Sequence, residues 1–199
     1  MQTISELLAK ELNCRQEYVE NVIALLDEGN TIPFIARYRK EQHGTMDDTT
    51  LRTLETRLQY LRNLAQRREE VKASIAAQEK LTAELEAAID EAATLAEVED
   101  LYRPYKPKRR TRATIAKEKG LEPLADAIFT QKQRMPAPEE LAQAYLDASK
   151  GVETIEDALA GASDILAERI SDDAEIRKGL RALMQRRGTA TSCAAKDED

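Results

Sequence analysis

The sequence predicts an all-α protein: an extended multi-helix array with one long central helix and an N-terminal helix-turn-helix-like unit. Three observations predict it. Among 199 residues there are 30 Ala and 22 Leu, against 5 Val, 2 Phe and no Trp, so strong helix formers far outnumber β-branched and aromatic residues. Turn-makers are few, with 7 Gly and 6 Pro. Apolar residues recur every three or four positions in nearly every segment, which is the period of an amphipathic helix. The same features argue against a β-sandwich, a barrel or a Rossmann-type sheet.

The elements follow in order. Ile4, Leu7, Leu8 and Leu12 define a first helix, with Thr3 or Ser5 at its cap. Val19, Val22, Ile23 and Leu26 define a second from about Gln16 to Glu28, ended by Gly29 and Asn30. Pro33 fits the first turn of a short third helix, TIPFIARYRKE, closed by His43 and Gly44. Asp47 and Asp48 can cap the next helix, which Leu51, Leu54, Leu58, Leu61, Leu64, Val71 and Ile75 carry over roughly 30 residues. Thr82 caps a shorter helix bearing Leu85 and Ile89, without a capping box because Leu85 stands where Glu or Gln is needed. Leu95, Val98, Leu101 and Tyr102 give another, stopped by Pro104 and Pro107. Glu122-Pro123 starts a helix with Leu124, Ile128 and Phe129; residues 135–138 form a Pro-rich connector. Helices are then expected at about 138–147, 154–170 and 173–187, the middle one with the stripe Ile155, Leu159, Ala162, Leu166, Ile170. This reading divides the chain into 1–103, 104–187 and a tail, 188–199, either frayed or the opening of a further domain.

Several function classes fall away. No apolar run of about 18 residues spans a membrane. The charged N-terminus is not a signal peptide, and two unpatterned thiols, Cys14 and Cys193, suit a reducing cytoplasm. With one histidine, His43, and two isolated cysteines there is no metal-ligand set and little for nucleophilic catalysis, so no cofactor and no enzymatic activity are expected. The glycines are all at least nine residues apart, which excludes phosphate-cradling loops. Carboxylate pairs such as Glu69-Glu70, Asp47-Asp48 and Asp172-Asp173 read as solvated faces and caps.

Charge is uneven along the chain. The total is −7, yet residues 102–119 carry eight basic groups and one acidic. Within this segment Tyr102, Tyr105, Lys106, Lys108, Arg109, Arg110 and Arg112 lie close together, and Pro104 and Pro107 hold the backbone open. The cations suit phosphates and the tyrosines suit stacking on bases. Docking on this chain's own acidic helices, or on a domain beyond it, explains the same residues. In TIPFIARYRKE, Arg37 and Arg39 interleave with apolar residues; they suit phosphates, or pairing with carboxylates of the long helix such as Glu55, which is the favoured reading. The helix pair over residues 3–28 has the outline of a helix-turn-helix, but its second helix carries Glu17, Glu20, Asp27 and Glu28 and no base after Arg15, so a DNA groove would repel it.

Four stretches carry a family resemblance: TIPFIARYRKE at 31–41, LRTLETRLQYLRNL at 51–64, LAEVEDLYRPYKPKRRTRATIAKEKGLEPLA at 95–125 and GASDILAERISDDAEIR at 161–177. In family order they resemble the N-terminal region of the bacterial Tex proteins, transcription accessory factors. The resemblance implies a long multidomain chain with an RNase H-like domain, helix-hairpin-helix elements and a C-terminal OB-fold domain. It implies nucleic-acid binding, RNA or DNA, largely through that last domain, and hence weak binding here. It also implies RNA polymerase and the following domains of the same chain as partners, with a scaffolding role for this region and no catalysis.

Overall fold

A computed structural model of the protein describes residues 3–44, 46–107, 109–131 and 135–192. Among these residues there are twelve α-helices and no strand, only an isolated bridge between Asp147 and Val152. No described helix is long and apolar enough to cross a membrane. The chain forms two compact units, Met1–Leu81 and Thr82–Asp199.

The first unit holds α1 (Ile4–Glu11), α2 (Gln16–Asp27), α3 (Ile32–Tyr38), α4 (Lys40–His43) and α5 (Asp48–Ala76). Thr3 opens α1 in a capping box with Glu6. Asn13, at φ 51°, makes the left-handed turn into α2, a conformation Asn tolerates better than most residues. Leu8, Val19, Val22, Leu25 and Ile35 pack on Leu51, Leu54 and Leu58 of α5 as one core. Leu25 takes the buried place expected of Ile23 and Leu26, which lie partly buried at the margin. α5 runs for 29 residues, about 43 Å at 1.5 Å per residue, and Asp47 caps it by accepting the Thr50 N–H at 2.7 Å.

TIPFIARYRKE is not one helix. The backbone breaks at Arg39 (φ −131°, ψ 36°), and a single turn, α4, follows. Gly44 ends that turn at φ +64°, and a Cβ there would lie 2.6 Å from the Tyr18 ring, so the position needs glycine twice over. His43, expected at a helix end, is there and is also buried, with neither ring nitrogen hydrogen-bonded. Cys14 is partly buried against the core; Cys193 lies outside the described residues.

The second unit holds α6 (Ala83–Glu91), α7 (Leu95–Tyr102), α8 (Arg112–Glu118), α9 (Glu122–Thr130), α10 (Pro138–Ala142), α11 (Ile155–Asp172) and α12 (Ala174–Arg187). Its core is built on small residues. Ala113 and Ala116 of α8 meet Ala158 and Ala162 of α11, with Leu121, Leu124 and Ile165 filling the space around them. A Cβ at Gly161 would lie 2.3 Å from Leu121, so close approach of the helices depends on that glycine. This shifts the expected α11 stripe. Ala158, Ala162 and Ile165 are fully buried, Ile155, Leu159 and Leu166 flank them, and Ile170 is exposed.

The division between units falls upstream of the boundary expected after residue 103. The reason lies in α7. Its Asp100 holds Arg177 and Arg181 of α12, so the helix ahead of Pro104 belongs with the helices downstream of it. Pro104 lies in a 3-10 turn, Arg103–Tyr105, that continues directly from α7.

Candidate nucleic-acid interface

The basic segment runs from the end of α7, through the 3-10 turn, into α8. Thr111 caps α8 by accepting the Thr114 N–H at 3.1 Å. Arg112 is therefore the first residue of a helix, not part of an open backbone as the prolines led us to expect.

Facing the segment is a ladder of carboxylates on α11: Asp164, Glu168 and Asp172, four residues apart and so on one helix face. Arg103 Nε donates to Asp172 at 2.9 Å, the Thr111 hydroxyl donates to Glu168 at 3.0 Å, and Arg112 Nε lies 3.6 Å from Asp164. The ladder seats both ends of the segment. Lys106 and Arg109 are exposed and have no ionic partner among the described residues. Arg110 pairs with Glu118 at 2.6 Å but remains 67% exposed, and the Arg112 side chain remains 87% exposed. Ion pairs this exposed are worth about 0–1 kcal/mol, so a phosphate can displace them. Lys108 lies outside the described residues.

The tyrosines divide. Tyr102 is only 8% exposed, so it offers no face for a base and is removed from the expected contact set. Its position on the apolar stripe of α7, beside Val98, explains the burial. Tyr105 is partly exposed, at the end of the 3-10 turn.

Arg37 and Arg39 depart from the favoured expectation. Neither has a carboxylate partner among the described residues, and the expected pairing with Glu55 is absent. Arg39 lies 5.2 Å from the Phe34 ring and donates to the Tyr38 carbonyl at 3.2 Å; Arg37 lies 6.0 Å from the Tyr38 ring. The bridges between helices are made instead by arginines on α5 itself. Arg57 grips Glu11 through two bonds of 2.7 and 2.8 Å. Arg62 grips Asp27 likewise, at 2.7 and 2.8 Å. The guanidinium bonds hold both carboxyls below their ordinary range. Arg52 and Arg67 of the same helix pair within it, with Asp48 and Glu70, so arginine spacing alone did not mark which of them bridge.

Asp100 is a further charge site that the sequence reading missed. It is 4% exposed. Arg177 Nε donates to it at 2.6 Å and Arg181 donates to its other oxygen. Burial pushes its carboxyl up, and the two guanidinium bonds outweigh that, leaving it below the ordinary range. This clamp attaches α12, which has no buried residue of its own.

Fold and segment together define an all-α protein of two helical units, the second bearing an exposed basic segment between α7 and α8. The sequence matches the Tex-like protein N-terminal domain over residues 2–76 and the Tex central region-like domain over residues 133–199. The chain belongs to the Tex family. It is 52% identical over 174 residues to the protein tex of Bordetella pertussis, covering 87% of this chain and 22% of that protein. It is 47% identical over 178 residues to the transcriptional accessory protein Tex of Neisseria gonorrhoeae, covering 89% and 23%. It is 31% identical over 183 residues to the human S1 RNA-binding domain-containing protein 1, covering 92% and 18%. The chain thus spans about a quarter or less of the length of these relatives.

Proposed function

We propose that this chain is the helical, non-catalytic scaffold region of a Tex-like transcription accessory factor, working in the cytoplasm and associating with RNA or DNA through the segment between α7 and α8. The observation that carries this reading is the exposure of Lys106, Arg109, Arg110 and Arg112 along one segment of an otherwise acidic chain. The names of the relatives, one a transcriptional accessory protein and one an S1 RNA-binding protein, support the setting. Binding is weak and indifferent to sequence, because four cations attract phosphate while the chain as a whole carries −7. The test is binding of single-stranded RNA and duplex DNA to the wild type and to the double variant Arg109→Glu/Arg110→Glu. A similar loss on every sequence supports the reading, and a variant that binds like wild type refutes it.

One observation favours a second reading, a docking module without direct nucleic-acid contact. α12 exposes Ile176, Leu180, Leu183 and Met184 along one face, each 40–65% exposed. These side chains present on the order of 400 Å², about half of the ~800 Å² per partner that a stable separate complex buries. A partner on the same polypeptide needs less area, because tethering raises its effective concentration to about the millimolar range. The fitting occupant is therefore the part of the polypeptide that the longer relatives carry beyond this region, with RNA polymerase as the external alternative.

A further inference from the structure

We infer a second nucleic-acid site, on the first unit, built on Tyr38 and specific for single strands. Tyr38 closes α3 and is 56% exposed, the most exposed aromatic residue among the described residues. An exposed ring at the end of a short helix is left in water unless something flat covers it. Phe34, one turn earlier, lies against it, with ring centroids 5.3 Å apart and planes tilted 47°. Three cations follow the same short stretch: Arg37, Arg39 and Lys40.

None of the three is engaged with a carboxylate among the described residues. Their positions differ in a way that sorts their tasks. Arg39 is held by the Phe34 face and the Tyr38 carbonyl, at the backbone break that follows Tyr38. Arg37 lies at the outer limit of contact with the Tyr38 ring, at 6.0 Å, where the attraction is weak. Arg37 and Lys40 are exposed and free to turn toward phosphates on either side of a base stacked on Tyr38. An exposed aromatic ring flanked by cations is the arrangement that holds an unpaired base and its backbone. A duplex hides its base faces, so the site discriminates strandedness, which the open segment between α7 and α8 does not.

The site goes beyond the association proposed above, lies on the other compact unit, and can stand or fall separately. The chain has no tryptophan, so Tyr38→Trp installs a single reporter. A single-stranded oligothymidylate should quench its emission, while a duplex at equal phosphate concentration should not. Tyr38→Ala should lower affinity for the same oligonucleotide roughly 5- to 150-fold, with Tyr38→Phe close to wild type. Arg109→Glu/Arg110→Glu should leave the quenching in place. An unquenched tryptophan while anisotropy reports binding overturns the Tyr38 site and leaves the basic segment standing. Quenching by duplex as strong as by single strand overturns it too. Absence of all binding at low salt overturns both sites.

Discussion

Arg177 reaches from α12 to α7 and donates its Nε–H to the buried carboxylate of Asp100 at 2.6 Å, while Arg181, one turn further on, takes the other oxygen. A single aspartate thus holds a helix that contributes no buried side chain. Asp100→Ala should cost about 2–4 kcal/mol, somewhat under the figure for a fully buried pair because each arginine is about a third exposed and can turn to water. Denaturant unfolding of wild type and variant checks it.

The same carboxylate predicts a pH dependence. Its pKa in the folded protein lies below the ordinary value, so its contribution is fully present above the unfolded-state pKa of about 3.9 and is lost as pH falls through the lower folded value. The stability difference between wild type and Asp100→Asn should be constant from pH 7 to about 5 and shrink below about 4. A difference that grows on acidification contradicts the clamp.

Arginines in the first unit should separate into two groups. Arg57→Ala and Arg62→Ala each break a forked, half-exposed bridge and should cost about 0.5–1 kcal/mol. Arg37→Ala and Arg39→Ala should stay within about 0.5 kcal/mol of wild type, since no carboxylate depends on them. Urea midpoints measured on all four variants distinguish this pattern from its reverse.

His43 is buried with both ring nitrogens unsatisfied, so an apolar side chain of similar size should fit better. His43→Leu is expected to raise stability by about 1 kcal/mol. A loss of that size in the same denaturation experiment would mean that the imidazole has a polar role.

Two helical glycines should respond in opposite directions. Nothing lies within 4 Å of a Cβ at Gly179, so Gly179→Ala should gain about 0.5–1 kcal/mol from helix propensity. At Gly161 the added atoms meet Leu121, and Gly161→Val should cost about 1–3 kcal/mol. Thermal unfolding of the two variants gives the comparison.

Much of the fold was legible because apolar spacing and capping residues are local. Thr3, Asp47, Thr82 and the leucine row of α5 announce their helices without reference to anything distant. The register of α11 was harder to read, because Ala158 and Gly161 carry little hydropathy and matter only once α8 lies against them. The basic segment was visible as a charge excess. Which of its cations meet carboxylates was not, since that depends on the ladder Asp164, Glu168, Asp172 some 50 to 70 positions away. Tyr102 was misread for a similar reason. A tyrosine suits a core and a stacking surface equally, and only its helix face decides.

The central claim is that exposed cations from the α7–α8 connection into the first turn of α8 meet phosphate, and the salt dependence of binding tests it most directly. With Lys106, Arg109, Arg110 and Arg112 each neutralising a phosphate, the log–log slope of affinity against salt for a duplex should be about −3 to −4. Arg109→Glu/Arg110→Glu should flatten that slope by about 1–2 units. A slope near zero, or one unchanged in the double variant, would contradict the account and leave the segment as a docking element.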